Sequence, residues 1–329
     1  MKLKLLFNGF RHGHINGLYQ QAQCSELVEI AGCIEQNFAA KVAAEEKYGV
    51  SFSDKDYDWW LSTDIDVVAV GTAYGDRGDV IIKALSAGKH VIADKPICTD
   101  LKQLETIEAL CKEKNCKLIC MLDLRYLPQT VVAKQLLDSG RLGQVRNVAF
   151  NGQHCIDYDH RPGWYFEPGM HGGTLNDLSI HGVDLVRMLT GMEISKIDAA
   201  RTWNAYANRN PEFKDCALFM ARLENGAGVI ADVSYSAPSF AFSLPSYWEF
   251  RIWCDKGVLS FNYKDNVVTV FEEGTAEPDV ICCPLVSVGY LQDLYNEIVG
   301  GSFACTENVL CSTRTTLKLQ QFADKEGSL

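Results

Sequence analysis

The sequence predicts an α/β protein with two domains: a doubly wound parallel sheet at the N-terminus, followed by an α+β domain with a large open antiparallel sheet. Its 329 residues suffice for two domains of about 150 residues, each with its own core. Apolar and amphipathic segments alternate in the first part, whereas the second consists mainly of short β-rich segments separated by turns. We place the boundary near residue 122, which gives domains 1–122 and 123–329.

Strands that are apolar on both faces predict the N-terminal domain. Each is followed by a helical segment, a pattern typical of a parallel sheet covered on both sides, as in the nucleotide-binding Rossmann architecture. The predicted strands are 3–7, 27–34, 65–70, 91–93 and 118–121, and the predicted helices are 15–21, 38–48 and 79–87.

The turn after the first strand is a candidate phosphate-binding loop. It matches only part of the GxGxxG dinucleotide fingerprint, because Gly9 takes the second glycine position and only Gly13 remains to pack helix against sheet. The predicted cofactor-binding residues of this turn are Gly9, Phe10, Arg11, His12 and Gly13.

Glu35 ends the second strand about 20 residues downstream, where a carboxylate can bind both hydroxyls of an adenosine ribose and repel a 2′-phosphate. This favours NAD over NADP. Two observations leave alternatives open: Glu35 could be a solvated loop carboxylate, and Arg11 beside the phosphates could accommodate NADP.

Two segments resemble the Gfo/Idh/MocA oxidoreductases, named after glucose-fructose oxidoreductase and inositol dehydrogenase. Residues 87–96 (AGKHVIADKP) resemble the family's ALxAGKHVxxEKP segment, and residues 172–185 (GGTLNDLSIHGVDL) resemble its GGGxLxDxGxHxxDL helix. Matches at 125–128 and 139–145 keep the family's order and spacing, so the resemblance covers nearly the whole chain. It implies an NAD-dependent oxidoreductase in which Lys95, Asp177 and His181 are catalytic.

The cofactor site is where the sequence departs furthest from that family. Asp94 stands where relatives usually have Glu, which shortens the carboxylate side chain by one methylene. The family's TPNxxH segment reads TAYGDR at 72–77, without the Pro, the Asn and the His. The remaining predicted cofactor-binding residues are Thr72, Ala73, Tyr74, Asp94 and Lys95.

The catalytic residue types suit alcohol oxidation without a metal. Asp177 and His181 are four residues apart on a predicted helix, which places them on one face, about 5 to 6 Å apart at Cβ. An imidazole can accept the proton of a secondary alcohol while hydride leaves the same carbon. Lys95, expected at the end of a fifth strand, would hydrogen-bond the reacting oxygen and lower the pKa of a nearby His. Without the resemblance, a surface lysine and a core histidine would explain these residues equally well.

A polar and aromatic stretch before that helix is predicted to bind substrate. Four of the seven histidines lie between residues 154 and 181, but their spacing matches no metal motif, so we predict no metal. The interleaved Trp and Tyr suit stacking on a sugar ring. Asp123 and Arg125, expected just past a sixth strand, join the site. The predicted substrate-binding residues are Lys95, Asp123, Arg125, His154, Arg161, Trp164, Tyr165, Asp177 and His181.

The second domain is predicted to associate with a second copy of the chain. One face of its sheet would carry the helix with Asp177, and apolar residues on the other face would need cover, so we expect a homodimer or homotetramer through this sheet. The predicted strands are 145–152, 194–203, 217–223, 228–235, 247–253, 258–263 and 267–271, and the predicted closing helices are 291–299 and 308–322.

Composition restricts partners and compartment. The 31 Lys and Arg against 42 Asp and Glu give a net charge of -11, which disfavours nucleic acid and anionic membranes, and no apolar run approaches the roughly 20 residues of a membrane span. Thirteen cysteines, an odd number without a CxxC, predict reduced thiols in a cytoplasmic protein; Cys282 and Cys283 have no evident role. The first residues are predicted to form a strand and not a secretion signal.

The sequence therefore predicts an NAD-dependent oxidoreductase acting on a secondary hydroxyl of a sugar, inositol or related cyclic polyol. A redox-neutral lyase or glycosidase, in which transient oxidation permits elimination, shares the same first step. A catalytically silent NAD-binding regulator is a third possibility, disfavoured by the presence of all three catalytic residues.

Overall fold

A computed structural model describes residues 2–238, 246–286 and 288–326, and these divide into two compact units. The sequence assigns everything after residue 122 to the second domain, whereas the structure assigns two later segments to unit 1. These segments bond within unit 1: Gly75 donates to the carbonyl of Met170 (2.8 Å), and Leu118 donates to Thr306 Oγ1 (3.0 Å). Unit 1 comprises Met1–Leu122, Pro162–Gly172 and Gly289–Arg314; unit 2 comprises Asp123–Arg161, Gly173–Val288 and Thr315–Leu329.

The core of unit 1 is a five-stranded parallel sheet in the order β2-β1-β3-β4-β5, which confirms the predicted doubly wound domain. Strands β3, β4 and β5 are almost entirely buried, as expected for a sheet with helices on both faces. The strands are β1 (Leu3–Asn8), β2 (Val28–Ile34), β3 (Val67–Val70), β4 (His90–Ala93) and β5 (Leu118–Cys120). The helices up to β5 are α1 (Gly13–Gln23), α2 (Phe38–Tyr48), α3 (Tyr57–Leu61), α4 (Tyr74–Ser86) and α5 (Leu101–Glu113).

Two local predictions for this unit are wrong. Lys95 follows the fourth strand, β4, and Asp123 follows the fifth, β5, and not a fifth and a sixth strand as predicted. Helix α4 begins at Tyr74, five residues before its predicted start. Its buried face runs through Tyr74, Arg77, Gly78 and Ile81, so an arginine, which sequence reasoning takes as polar, lies on the apolar side.

Unit 2 is built on an eight-stranded sheet in the order β13-β12-β11-β10-β6-β9-β8-β7. The predicted sheet is fully antiparallel, but β6 and β9 pair in parallel. Strand β13, which pairs with β12, was not predicted. The strands are β6 (Val145–Asn151), β7 (Ile194–Trp203), β8 (Cys216–Leu223), β9 (Gly228–Asp232), β10 (Glu249–Cys254), β11 (Gly257–Phe261), β12 (Val267–Glu272) and β13 (Asp279–Cys282). The remaining helices are α6 (Pro128–Asp138), α7 (Thr174–Thr190), α8 (Tyr290–Gly300) and α9 (Ala304–Glu326).

Helix α7 is packed tightly against one face of this sheet. A Cβ on Gly182 would lie 2.1 Å from the Phe150 ring, so only glycine allows the helix to approach β6 this closely. The opposite face is exposed and apolar, since alternate residues of five strands point away from α7. Its large apolar residues, each at least 44% exposed, are Leu218, Met220, Ile230, Trp253, Phe271 and Val280.

All thirteen cysteines are in the reduced thiol form, and seven of them are buried. Burial raises the pKa of several, to about 12 for Cys33 and Cys111, which makes them poor nucleophiles. In the part of the chain that is described, no helix has both the length and the apolar character to cross a membrane.

Candidate active site

The glycine turn of unit 1 packs against the end of the neighbouring strand. Gly9 has a φ of 89°, and a Cβ there would lie 2.7 Å from the backbone nitrogen of Thr72. Gly13 is predicted to pack helix against sheet, but a Cβ on it would meet no described atom within 4 Å, so that prediction is wrong. The close approach instead involves Gly9 and Gly71, whose own Cβ would lie 2.4 Å from the Gly9 carbonyl oxygen.

The amides of this turn are already occupied. The N–H groups of Gly9, Phe10 and Arg11 donate to the Ile34 carbonyl (2.9 Å), to Glu35 (2.6 Å) and to the Gly71 carbonyl (2.9 Å). Helix α1 begins directly afterwards, and its N-cap residue contributes no side-chain hydrogen bond. The first turn of α1 therefore offers the amide donors for an anionic group in this region.

Glu35 is anchored beside that turn and is not a freely solvated loop carboxylate. Its Oε2 accepts from the Phe10 N–H (2.6 Å), and its Oε1 accepts from the Asn37 N–H (2.7 Å). Each oxygen keeps a further lone pair, so the carboxylate can still accept hydrogen bonds from a ribose diol.

Asp94 connects the glycine turn to the lysine segment. Its carboxylate is fully buried and bonds to His12 Nδ1 (2.6 Å), to His14 Nδ1 (2.9 Å) and to the Lys95 N–H (2.7 Å). Although burial favours the protonated acid, the histidines and Arg77 together hold the pKa of Asp94 well below its usual range, so it is ionised. Burial also lowers the pKa of His12 to about 4, against the opposing effect of Asp94 and with a further lowering from Lys95. His12 is therefore neutral near pH 7 and donates from Nδ1.

His12, His14 and Asp94 also form the one group among the described residues that is spaced to hold a metal ion. Two observations disfavour a cation there. Both carboxylate oxygens already accept hydrogen bonds, and Arg77 Nη2 lies 3.7 Å from Asp94 Oδ2. A metal would have to displace these contacts next to a buried guanidinium.

Lys95 is buried against an aromatic cluster. It is 4% exposed, and its Nζ lies 5.7 Å from the centroid of the Tyr74 ring. Trp164 and Tyr165 pack on the same ring, with centroids 4.9 and 5.7 Å away. Both are at most 3% exposed, so their burial does not support the interpretation that they offer a face for stacking on a sugar.

In unit 2, helix α7 supplies Asp177 and His181, both buried. The Tyr235 hydroxyl donates to Asp177 Oδ2, which fixes the orientation of that carboxylate. The His181 ring packs edge to face on Trp248, with centroids 5.6 Å apart. The site in this unit is therefore a carboxylate held by a tyrosine and an imidazole held by a tryptophan. His181 also has contacts beyond this ring.

The remaining predicted substrate residues lie in the same unit, but the cations among them are already bonded. Arg125 makes a two-pronged ion pair with the buried Asp184, with Nη2 2.8 Å from Oδ1. Arg161 donates to the carbonyls of Ile156 and Cys155 at 2.9 Å, and its guanidinium carbon lies 5.1 Å from the Tyr235 ring centroid. His154 packs on Tyr235 and Trp248, whereas Asp123 is half-buried in a 3₁₀ turn.

Sequence reasoning missed four residues that shape these surroundings: His14 and Arg77 in unit 1, and Tyr235 and Trp248 in unit 2. Tyr235 ends a predicted strand, and its carboxylate partner Asp177 is 58 residues away, so local spacing does not predict this hydrogen bond. His14 could have been predicted, because it is the second histidine in the glycine turn after the first strand. The buried Arg77 could not be inferred, because arginine is rarely found without solvent contact.

The parallel sheet of unit 1, with its glycine turn after β1, defines a nucleotide-binding domain of the Rossmann class. Residues 7–122 match the model of an oxidoreductase family with an NAD-binding Rossmann fold, and residues 130–260 match the model of the Gfo/Idh/MocA C-terminal domain. Together these matches span three quarters of the chain, and the chain belongs to the Gfo/Idh/MocA family. The predicted family and the prediction of an NAD-binding oxidoreductase are confirmed.

Several characterised proteins are similar to the chain. It is 26% identical over 267 residues to a levoglucosan dehydrogenase from Pseudarthrobacter phenanthrenivorans, covering 72% of this chain and 67% of the relative. It is 28% identical over 206 residues to an NAD⁺-linked scyllo-inositol 2-dehydrogenase from Bacillus subtilis, covering 61% of this chain and 57% of the relative.

Solved structures share the fold over nearly the whole chain. A levoglucosan dehydrogenase in complex with NADH and levoglucosan superposes with a TM-score of 0.83 at 20% identity, covering 99% of this chain and 98% of its own. An aldose-aldose oxidoreductase from Caulobacter crescentus, complexed with glycerol, gives a TM-score of 0.82 at 21% identity, with coverage of 99% and 98%. At these identities the likeness concerns the fold.

Proposed function

We propose that this protein oxidises a secondary hydroxyl of a sugar, inositol or related cyclic polyol, with NAD⁺ as hydride acceptor. The observation that carries the proposal is the buried Lys95 ammonium at the carboxyl end of a central parallel strand, in the region that matches the NAD-binding model. Ligands of such sheets bind at the carboxyl ends of the strands. Relatives named as levoglucosan and inositol dehydrogenases support a cyclic polyol as substrate.

The cofactor proposal is supported by polar atoms that lack partners. Thr72 Oγ1 and Asn16 Oδ1 are buried and have no hydrogen-bond partner among the described residues, and both belong to segments around the glycine turn. With the first-turn amides of α1 and the Glu35 carboxylate, they form a donor and acceptor set suited to a dinucleotide. Bound NAD⁺ would supply the hydride acceptor. Gly9, Phe10, Arg11, His12, Gly13, Glu35, Thr72, Ala73, Tyr74, Asp94 and Lys95 are proposed to surround it.

In the proposed mechanism each catalytic residue has one task. His181 accepts the proton of the substrate hydroxyl, and in the reverse direction returns it. Lys95 donates a hydrogen bond to the reacting oxygen and stabilises the negative charge that develops there. Asp177, oriented by Tyr235, presents its other oxygen to the substrate hydroxyl or the imidazole. We propose that Asp123, Arg125, His154, Arg161, Trp164 and Tyr165 shape the substrate site.

Turnover assays test this proposal directly. Purified protein is incubated with NAD⁺ or NADP⁺ and a panel of inositols, pyranoses and anhydrosugars, and formation of reduced nicotinamide is followed by absorbance. We expect reduction with at least one cyclic polyol and none with primary aliphatic alcohols. Release of a leaving group from a glycoside, without net reduction of the nicotinamide, would contradict the dehydrogenase assignment and support the redox-neutral lyase or glycosidase. Cofactor binding without any turnover would favour a silent regulator.

Coenzyme preference depends on the charge of Glu35. Glu35→Gln keeps an oxygen for the Phe10 N–H but removes the negative charge that would repel a 2′-phosphate. We expect the ratio of kcat/KM for NAD⁺ over NADP⁺ to fall by about tenfold, equivalent to ~1.4 kcal/mol. Glu29→Gln, at an exposed residue of β2, the strand that Glu35 follows, is the matched control. An unchanged ratio in Glu35→Gln would remove this residue from coenzyme selection.

We propose that the exposed sheet face of unit 2 packs on the same face of a second subunit. Its exposed apolar residues lie on β8, β9, β10, β12 and β13, and exposed apolar patches of this kind mark interaction surfaces. A single face used by both subunits gives a symmetric dimer, and a tetramer would need a further surface. We also propose a cytoplasmic location, with which the reduced thiols are compatible.

Charged substitutions on that face should separate the subunits. Met220 and Trp253 are 51% and 48% exposed, so Met220→Glu with Trp253→Glu leaves the core of unit 2 intact while placing like charges in the proposed interface. We expect light scattering after gel filtration to give at least twice the mass of one chain for the wild type and half the wild-type mass for the double variant. Phe38→Glu, on an 80% exposed residue of unit 1, serves as control. A wild-type mass of one chain would refute the dimer.

A further inference from the structure

Arg77, in unit 1, carries a positive charge with no exposure to solvent. Burying a guanidinium is costly unless its N–H groups are bonded. Here Nη1 donates to the carbonyls of Lys95 (2.6 Å) and Pro96 (2.9 Å), and Nη2 donates to the Thr72 carbonyl (2.6 Å). Asp94 Oδ2 lies 3.7 Å from Nη2 and compensates the charge. The Arg77 side chain thus connects the segment after β3 to the backbone at Lys95 by hydrogen bonds.

The same guanidinium supports the ring on which Lys95 lies. Its carbon is 4.9 Å from the centroid of the Tyr74 ring, and Lys95 Nζ is 5.7 Å from that centroid. Cations are attracted to the electron-rich faces of aromatic rings. Arg77 therefore fixes both the backbone from which the Lys95 side chain extends and the aromatic surface against which its ammonium is held.

We propose that Arg77 is a positioning residue for Lys95. A lysine at residue 77 would retain the charge but not this function, since its compact ammonium cannot reproduce three contacts made by a planar fork. The catalytic consequence rests on the proposed function, because it assumes that Lys95 bonds the reacting oxygen. The placement of the Lys95 side chain does not depend on the proposed function, and it can be measured without turnover.

The first experiment observes Lys95 by NMR in the full-length protein, labelled with carbon-13 at lysine Cε. The Lys95 signal is identified by its loss in Lys95→Arg. We expect its Cε protons to be shifted upfield by the Tyr74 ring, and this shift to disappear in Tyr74→Leu. In Arg77→Lys and Arg77→Gln the shift should fall by at least half. Arg187→Lys, a nearly buried arginine of unit 2 paired with Glu193, is the matched control and should leave the signal unchanged.

The second experiment asks whether positioning affects catalysis. A displacement of about 1 Å can cost about 100-fold in rate, so we expect Arg77→Lys to lower kcat by about this factor with little change in KM for NAD⁺. Thermal unfolding of each variant distinguishes this from a loss of folded protein. If Arg77→Lys fails to fold, Tyr74→Leu, which keeps Arg77, tests the ring contact independently.

The outcomes separate this inference from the proposed function. A wild type that oxidises no polyol defeats the proposed function, and the NMR comparison still decides the role of Arg77. An unchanged Lys95 signal in folded Arg77→Lys or Arg77→Gln would overturn the inference even in an active enzyme. A wild-type signal without an upfield shift would also overturn it, since Lys95 would then not be held against Tyr74.

Discussion

Lys95→Met should reduce kcat by about 1000-fold, the upper range for removing one hydrogen-bond donor to a developing oxyanion. Methionine matches the length and apolar contacts of the lysine stem but cannot donate to the reacting oxygen. Because Lys95 is proposed to act in the transition state, we expect kcat and kcat/KM to fall together. Steady-state kinetics with the best substrate of the panel measure this effect.

Two comparisons make the result specific to the ammonium. Lys83→Met changes a half-exposed lysine of α4 that pairs with Asp58 at 2.6 Å, and should retain wild-type rates. NADH affinity, measured by nicotinamide fluorescence, should change only a few fold in Lys95→Met. Near-normal turnover in this variant would show that Lys95 is a core lysine without a catalytic role.

His181→Asn should lower kcat by about 100-fold to 10,000-fold, the usual contribution of a positioned acid or base. An imidazole must be neutral to accept the alcohol proton, so the wild-type oxidation rate should rise with pH as His181 loses its proton and then level off. In His181→Asn the remaining rate should lack this rise. The complete pH profile of kcat/KM, recorded for both proteins, tests the assignment.

The matched control is His160→Asn, on an exposed histidine of unit 2 that pairs with Asp157 at 2.8 Å. The pairing raises the pKa of His160, but the residue lies outside the proposed chemistry, so its substitution should leave rate and profile unchanged. A His181→Asn enzyme that keeps the wild-type pH dependence would assign the proton transfer to another group.

Regular periodicity and motif order made most of the fold predictable. Strands β3 to β5 were recognisable because both of their faces are buried and nearly all of their residues are apolar. Helix α2 was predicted residue for residue, with Gly49 at its end. The predicted start of α4 is five residues late, and the first turns that it omits contain Arg77, a buried residue of a type that is usually exposed. The parallel pairing of β6 with β9 depends on long-range strand order, which local alternation does not encode.

For the candidate site, the motifs predicted the residues but not their bonding partners. The sequence singled out Asp94, yet nothing in the spacing shows that it bonds His12, His14 and the Lys95 amide at once. Likewise Asp177 was recognisable from its spacing to His181, whereas Tyr235, which orients its carboxylate, lies 58 residues away. Such partners come together only through tertiary packing.

The most direct test of the proposed function is to follow the hydrogen atom itself. A cyclic polyol deuterated at the reacting carbon is incubated with the enzyme and NAD⁺, and both products are analysed by mass spectrometry. We predict that one deuterium atom is transferred to the nicotinamide ring and that the polyol is recovered as a ketone. Unlabelled nicotinamide throughout, with the substrate either intact or cleaved, would contradict the assignment as a polyol dehydrogenase.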